Sequence, residues 1–376
     1  MRVLITGSTP VLGLAFHFVQ FAVWLKKYGV DVALAGCDGE GTPGLFKKLA
    51  EERIPFFDLP ALRRTGLGQA AFPTGGLGRL IEKEKFDIAI ITASGHVAEV
   101  GRRRPNGVKV VWWLQSVRNT RWYARAARRM AAWIADRWSD QTWIQCELER
   151  QKMVAAGLRK SPVNMVSIPI DVPWWESRAG MELPRQLQNV AEARRCGRRV
   201  ISYPASLLPG KRHDTLLKAA AIVRRSIPEL FVCCPGRYKA DGLRPLAKSL
   251  GLDDCVMFTE SILPQECIPP LLAASDALAF TSESETYGKS LIEAWCLGVP
   301  VVSTRAGVAY EAELAGAAIV CDIGDHEAVA EGILRVLREK PTAERLRETG
   351  KKFVRENYSY EAVIGRAVEC LEALVR

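Results

Sequence analysis

Two acidic residues, Glu285 and Glu293, are separated by seven residues at the junction of a predicted strand and a predicted helix. The apolar segment 276–280 precedes them, and a Gly-Val-Pro turn at 298–300 follows. This context is typical of a helix start that faces an anion, because the first backbone N–H groups of a helix have no partner within it. One carboxylate would lie at the mouth of the helix and the other two turns inside. The alternative is a pair of solvated acids, which the helix dipole also favours.

The residues around this pair resemble a known family. The pattern S-x-x-E-G-F-G-x-x-x-x-E-A-x-x-x-G-x-P-V is typical of the retaining glycosyltransferases of family 4, which are nucleotide-sugar enzymes with the GT-B fold. In this chain Thr286 replaces the first Gly of the pattern and Tyr287 replaces the Phe. The positions that match are Ser282, Glu285, Gly288, Glu293, Ala294, Gly298, Pro300 and Val301.

The resemblance implies a role for each part of the motif. Glu285 would contact the hydroxyls of the transferred sugar, and Glu293 would bind the two ribose hydroxyls, since a carboxylate accepts hydrogen bonds from neighbouring hydroxyls. Thr286 would place a side chain near the sugar and alter the choice of donor. The backbone amides that would hold the diphosphate are those of Tyr287, Gly288, Lys289 and Ser290.

A cationic turn, residues 207–214, follows the predicted strand 200–203. The family has an Arg and a Lys at the equivalent turn, and both neutralise the departing diphosphate; Lys211 matches the Lys, whereas Ser206 stands where the Arg is expected. Arg212 or Arg237 could compensate, and exposed loop cations are the alternative reading. Gly236 matches a glycine turn that borders the nucleotide. The chain has no Asp-x-Asp sequence, so we expect neither a metal nor another cofactor.

Three residues of the first half correspond to less complete matches. Gly13 stands where the family has a glycine close to the donor phosphate and the acceptor, but Leu12 replaces its usual glycine neighbour. Gln115 stands where the family often has a His that contacts the sugar, and Gln cannot act as an acid or a base. His96 follows the strand predicted at 88–92 and could reach the cleft in which the donor sugar would lie; otherwise it is a loop residue.

The positive charge of the chain is concentrated in one segment. The net charge is +10, and residues 102–137 contain ten basic residues and one acid. Four arginines within it are spaced as one face of a helix, and tryptophans accompany them. A solvated face, an anionic acceptor and a membrane or lipid-linked acceptor all remain possible; no nucleic-acid module is recognisable. The candidate acceptor or membrane residues are Arg118, Arg121, Trp122, Arg125 and Arg128.

Length and patterning predict two domains. The chain has 376 residues, and short apolar strands alternate with helix-period segments, as in α/β folds with doubly wound parallel sheets. We expect two Rossmann-like domains that face a cleft, as the resemblance to GT-B enzymes also implies. The predicted bounds are 1–175 for an acceptor domain, 171–199 for a linker, 200–357 for a nucleotide-sugar domain, and 358–376 for a helix that packs back on the first domain.

The resemblance to family 4 implies a retaining glycosyltransferase, and the lack of an Asp-x-Asp sequence predicts that it is metal-independent. It would move a sugar from an NDP-sugar, with UDP or GDP as the nucleotide, to a saccharide or lipid-linked acceptor in bacterial-type glycan or cell-envelope glycolipid synthesis. No apolar run reaches the ~18 residues that span a bilayer. Ten cysteines without metal-binding spacing indicate a reducing compartment, so we expect a cytoplasmic protein, peripheral on the inner face of the membrane. The alternatives are a non-catalytic GT-B scaffold or membrane-binding adaptor with a decayed donor site, and a sugar-nucleotide epimerase.

Overall fold

The computed structural model describes residues 1–6, 12–36, 43–59, 76–114, 122–158 and 160–376. The chain divides into two units: unit 1 comprises Met1–Pro169 and Tyr360–Arg376, and unit 2 comprises Ile170–Ser359. Each unit is built on its own parallel sheet.

Within the described residues, unit 1 has seven strands in the order β3-β2-β1-β4-β5-β6-β7. Its strands are β1 (Arg2–Thr6), β2 (Asp31–Gly36), β3 (Phe56–Asp58), β4 (Ile88–Ile91), β5 (Lys109–Trp113), β6 (Gln141–Ile144) and β7 (Val163–Met165). Its helices up to residue 169 are α1 (Leu12–Lys27), α2 (Pro43–Glu51), α3 (Gly76–Glu84), α4 (Ser94–Arg103), α5 (Trp122–Trp138) and α6 (Glu147–Ala155). The central strands β1, β4 and β5 are apolar apart from residues at their ends, because helices cover both faces of such a sheet.

Unit 2 has six strands in the order β10-β9-β8-β11-β12-β13. Its strands are β8 (Arg199–Ser202), β9 (Leu230–Cys234), β10 (Val256–Phe258), β11 (Ala277–Phe280), β12 (Val301–Thr304) and β13 (Ile319–Cys321). Its helices are α7 (Val172–Arg178), α8 (Gln188–Arg195), α9 (His213–Ser226), α10 (Leu243–Ser249), α11 (Ile268–Ala273), α12 (Lys289–Cys296), α13 (Ala309–Leu314), α14 (His326–Arg338) and α15 (Lys340–Asn357). Both units therefore have the predicted doubly wound α/β architecture.

The segment 171–199, predicted as a linker, is instead a folded part of unit 2. It forms α7 and α8, and the carboxylate of Asp171 caps α7 by accepting a hydrogen bond from the Trp174 amide at 3.0 Å. Trp175, Leu187 and Val190 are buried. The prediction was wrong because these few apolar residues are spaced so that each helix buries one stripe, while the many charges between them face solvent.

The last helix, α16 (Tyr360–Val375), belongs to unit 1. The ring of Tyr360 stacks on Trp24 of α1, with the centroids 4.6 Å apart and the planes at 9°. Gln141 of β6 also donates a hydrogen bond to the carbonyl of Cys370 at 3.2 Å. The chain thus crosses back to its first unit after residue 359.

Candidate active site

The motif that carries both acids lies at the carboxyl end of β11 and the start of α12. Gly288 precedes the helix in the left-handed conformation, with φ at +89°, and no side chain caps the helix start. A Cβ at this position would lie 3.0 Å from Leu291 Cδ1. Glycine is therefore needed both for the backbone conformation and for space. The Leu291 amide donates to the Gly288 carbonyl at 2.9 Å, so the amides that this helix start leaves for an external acceptor are those of Lys289 and Ser290.

Glu285 lies against the lysine of the cationic turn. Lys211 Nζ donates a hydrogen bond to Glu285 Oε1, and both side chains are largely buried. The carbonyl of Lys211 accepts hydrogen bonds from the Tyr203 hydroxyl at 3.0 Å and from Thr281 Oγ1 at 3.3 Å. The turn is thus fixed from the strand ends of β8 and β11, which are neighbours in the sheet.

Further bonds join the cationic turn to the acidic motif. The carbonyl of Gly210 accepts from Ser282 Oγ at 3.2 Å and from the Glu283 amide at 3.0 Å. Arg212, which also has positive φ, directs its guanidinium to Asp214 at 3.0 Å and lies 3.8 Å from the Glu283 carboxylate. A diphosphate would have to compete with these two carboxylates for Arg212.

Glu293 is buried on the first turns of α12. Its Oε1 lies 3.2 Å from Lys289 Nζ, and 7% of the Glu293 side chain is exposed, against 45% for Lys289. Burial raises the pKa of Glu293, and the neighbouring Lys289 ammonium opposes that rise.

The turns after β8 and β9 pack tightly against each other. A Cβ on Gly236 would overlap the carbonyl oxygen of Ala205 and lie 3.0 Å from its carbon. Ser206 is half-buried in the first of these turns, and Ser290 Oγ ties α12 to it by donating to the Pro204 carbonyl at 2.7 Å. The hydroxyl of Ser290 is thus already engaged.

Arg237, the other predicted substitute for a missing arginine, is exposed. Its guanidinium lies over the ring of Tyr238, 4.9 Å from the centroid.

Gly307 is a site residue that the sequence interpretation missed. Its φ is +58°, and a Cβ there would overlap the Tyr287 carbonyl and lie 3.1 Å from Glu285 Cβ. The next amide, that of Val308, donates to the same Tyr287 carbonyl at 2.9 Å. A glycine between β12 and a following helix is the sequence signal that could have identified it.

An aromatic pair lies beneath Lys211. The ring of His213 stacks on Tyr203, with the centroids 4.7 Å apart. Burial, assisted by Lys211, lowers the pKa of His213 to about 4, so the imidazole is neutral at pH 7. Burial and the Glu285 carboxylate raise the pKa of Tyr203. Neither ring nitrogen of His213 has a hydrogen-bond partner among the described residues.

The structure places the other predicted residues as follows. His96 is in the first turn of α4 rather than in a loop; it is buried, and its Nδ1 lies 3.4 Å from Glu99 Oε2. Gly13 belongs to α1. Gln115, Arg118 and Arg121 lie outside the described residues, so their predicted roles remain predictions. Three more lie on α5 and are described by their backbone alone: Trp122, Arg125 and Arg128.

The later part of α5 exposes large apolar side chains. Met130, Trp133 and Trp138 are 62%, 55% and 37% exposed, and the Arg137 guanidinium lies 6.0 Å from the centre of the Trp138 ring. In the part of the chain that the structure describes, no helix combines the length and the apolar character that crossing a membrane requires.

Comparison with known proteins identifies the region that contains the site. Residues 185–353 match the family model of glycosyl transferases group 1. Of the curated proteins, N-acetyl-alpha-D-glucosaminyl L-malate synthase of Bacillus anthracis is 30% identical over 122 residues, which cover 32% of this chain and 31% of that protein. The lipopolysaccharide core biosynthesis glycosyltransferase LpsE of Rhizobium meliloti is 30% identical over 163 residues, or 43% of this chain and 46% of LpsE. The chain thus spans less than half the length of these relatives.

Solved structures resemble the whole chain. HepE of Anabaena in complex with UDP has a TM-score of 0.79 at 18% identity, with 99% of this chain and 100% of HepE covered. WaaG, a glycosyltransferase involved in lipopolysaccharide biosynthesis, has a TM-score of 0.65 at 16% identity, with 98% of this chain and 99% of WaaG covered. The predicted GT-B fold class, with two Rossmann-like parallel-sheet domains, is confirmed.

Proposed function

We propose that this protein is a retaining glycosyltransferase of the family 4 type. It would transfer a sugar from a nucleoside diphosphate sugar to a saccharide or lipid-linked acceptor, without a metal. The observation that carries the proposal is the start of α12. There, uncapped amides after Gly288 lie between Glu285, which is paired with Lys211, and the buried Glu293.

Each group has a chemical task in this reaction. The amides at the start of α12 bind the diphosphate, and Glu293 accepts hydrogen bonds from the ribose hydroxyls. Lys211 stabilises the negative charge that grows on the departing diphosphate, which is the main electrostatic task of such a step. Its ion pair with Glu285 opens at that stage, and Glu285 turns to the hydroxyls of the sugar.

The transfer itself retains the configuration at the anomeric carbon. The bond from this carbon to the diphosphate breaks, and the acceptor hydroxyl attacks from the face that the diphosphate leaves. A phosphate oxygen of the leaving group takes the hydroxyl proton. Neither His213 nor Tyr203 is needed as a base. Both side chains are buried; the pKa of His213 is lowered to about 4, which makes its imidazole a weak base, and the raised pKa of Tyr203 keeps its hydroxyl protonated at pH 7.

The donor nucleotide we favour is UDP, with GDP as the second choice. Structures of HepE in complex with UDP and with UDP-glucose support a uridine nucleotide on this fold. A GDP-mannose-dependent mannosyltransferase of Mycolicibacterium smegmatis, 29% identical over 184 residues, supports GDP. LpsE supports an acceptor in bacterial glycan or glycolipid synthesis.

The test is nucleotide binding and donor turnover. UDP, GDP and ADP are titrated by calorimetry, and the matching glucose and mannose donors are assayed for hydrolysis and transfer. Glu293→Ala should weaken nucleotide binding about tenfold to a hundredfold, since a hydrogen bond to a charged group contributes about 1.5–3 kcal/mol. The matched control is Glu331→Ala, which removes an exposed acid from α14 of the same unit. Absence of binding to all three nucleotides would favour a non-catalytic scaffold, and a product of inverted configuration would contradict retention.

We also propose that α5 rests on an anionic membrane at the cytoplasmic face, where a lipid-linked acceptor would be presented. Both acids of α4 and α5, Glu99 and Asp136, are buried, whereas Arg137 and the apolar Trp133 are exposed. Exposed aromatic residues beside unopposed arginines are typical of helices that bind the interface of anionic bilayers.

Sedimentation with vesicles tests this membrane surface. The protein should bind phosphatidylglycerol vesicles more tightly than phosphatidylcholine vesicles, and Trp133→Ser should weaken that binding. The control is Leu314→Ser, which removes a side chain that is 75% exposed in unit 2. Equal losses in both variants, or equal binding to both vesicles, would contradict the membrane surface but leave the donor site untouched.

A further inference from the structure

Lys289 occupies an unfavourable place in its helix. It is the first residue of α12, where the positive end of the helix dipole repels a cation. It also precedes Glu293 by four residues, and a Lys N-terminal to a Glu at this spacing is the weaker order of such a pair. The stability of α12 therefore gives no reason for a lysine at this position.

The buried carboxylate of Glu293 does give such a reason. Among the described residues, Lys289 is the one partner that forms an ion pair or hydrogen bond with this side chain, at 3.2 Å. A buried carboxyl group without a cation tends to take up a proton. A protonated Glu293 would be a poorer partner for two hydroxyl groups, because one of its oxygens then carries hydrogen.

The other charged groups near α12 act elsewhere. Asp171 at the start of α7, Glu176 on α7 and Arg355 on α15 influence the Cys296 thiol. Glu176 and Arg355 also pair with each other at 2.6 Å. Arg347 and Lys351 of α15 face Gly298, beyond the end of α12. The remaining neighbours, α11, β11 and β12, have no titratable side chain.

We propose that Lys289 is a positioning residue for ribose recognition, whose ammonium group holds the buried Glu293 in the ionised form that accepts hydrogen bonds from the ribose diol. This inference rests on the donor site proposed above. It adds a function for a residue that the family pattern leaves open, and it makes ribose selectivity dependent on pH.

The direction of the pH effect follows from the charges. Burial raises the pKa of Glu293, and removal of the Lys289 charge would raise it further. The selectivity that needs the carboxylate is present above this pKa and is lost as the pH falls through it. In Lys289→Met the loss of selectivity should therefore begin at a higher pH, by about one unit. This is the low end of the effect of an adjacent opposite charge, and we expect the low end because water screens the partly exposed Lys289.

The experiment compares UDP with 2′-deoxy-UDP by calorimetry between pH 5 and pH 8. The ratio of the two dissociation constants isolates the ribose contact, since the titrations of the phosphates and of His213 affect both ligands alike. If the wild type binds GDP or ADP instead, the corresponding deoxynucleotide pair is used. We expect a ratio of about ten at pH 8, which falls towards one as the pH decreases.

Four variants separate the outcomes. Lys289→Met should shift the midpoint of the fall upward by about one pH unit, Lys289→Arg should restore the wild-type midpoint, and Glu293→Gln should give a low ratio at every pH. An unchanged midpoint in Lys289→Met would overturn the inference. Equal weakening of both nucleotides at every pH would also overturn it and would assign Lys289 to the phosphates. Lys351→Met, on the neighbouring α15, should leave the midpoint unchanged; a shift there as large as that of Lys289→Met would also overturn it. If the wild type binds no nucleoside diphosphate, the proposed function fails together with this inference.

Discussion

Replacement of Gly307 by alanine should damage the donor site from outside the acidic motif. Gly307 lies in the turn after β12, and its backbone faces the loop that carries Glu285 and Tyr287. The added Cβ would overlap the Tyr287 carbonyl oxygen and lie 2.7 Å from its carbonyl carbon. The loop must move, and the hydrogen bond from the Val308 amide to this carbonyl must lengthen or break.

The magnitude has two parts. A non-glycine residue with a left-handed backbone costs roughly 1–2 kcal/mol, and overpacking against the rigid carbonyl of Tyr287 adds about 1–3 kcal/mol. Gly316 separates the backbone contribution from the packing contribution. Its φ is +68°, but an added Cβ would meet no close neighbour, since the nearest atom is Arg345 Nη1 at 3.6 Å. Gly316→Ala should therefore lose about 1–2 kcal/mol, and Gly307→Ala about 2–5 kcal/mol in all.

Urea denaturation of both variants, together with calorimetric titration of the nucleotide that binds the wild type, gives the comparison. Because Gly307→Ala displaces the amides that precede α12, its nucleotide affinity should fall at least tenfold, whereas Gly316→Ala should bind as the wild type does. The reasoning is refuted if both variants lose equal stability, or if Gly307→Ala is destabilised but binds the nucleotide normally.

Three further substitutions test other parts of the structure. Lys211→Met should lower kcat for transfer by about a hundredfold while the protein remains folded, because one preorganised group that stabilises developing charge contributes that much; an unchanged kcat would exclude its role beside Glu285. The wild type should lose stability as the pH falls from 6.5 towards 4, because the imidazole of His213 takes up a proton in the unfolded chain before it does so in the folded protein, and His213→Phe should remove this loss. The difference between the two free energies of unfolding, measured by denaturation, should approach about 3 kcal/mol near pH 4. Parallel pH profiles of the two proteins would contradict this prediction. Gly101→Ala, whose Cβ would lie 2.8 Å from Trp138 Cβ, should destabilise unit 1 by about 1–3 kcal/mol but leave nucleotide affinity unchanged; an altered affinity would show that α4 contributes to the donor site.

The sequence indicated which turns of unit 2 lie together better than it indicated the contacts between them. The family resemblance assigned Lys211 and Glu285 to one site, and the turns that carry them follow β8 and β11, which are neighbours in the sheet. Their direct ion pair was not predictable, since it depends on how two loops fold over each other. The same reason explains why Gly307 was missed: only the structure shows that its turn touches the Tyr287 carbonyl.

Errors arose where a few apolar residues are embedded among many charges. The segment 171–199 resembled a linker by composition, yet Trp175 and Val190 anchor two helices on unit 2. His96 was expected either to reach the cleft or to be a loop residue; the loop alternative was wrong, because α4 begins at Ser94 and buries the ring beside Glu99, whereas the functional role stays a prediction. In both cases burial in the tertiary structure decided whether the segment became helical. Neither composition nor proximity to a strand end indicates such burial.

The charges of the proposed donor site balance one another. Lys211 neutralises Glu285, Lys289 neutralises Glu293, and Arg212 is held by acids. With Ser206 in place of the arginine that the family pattern has, these pairs leave no excess positive charge among Lys211, Arg212 and Lys289. In the proposed function, the uncapped amides that follow Gly288 supply attraction for the diphosphate, and their direction is fixed by a left-handed backbone that glycine adopts without strain. This explains why glycines that orient the motif, rather than additional cations, dominate the construction of the site.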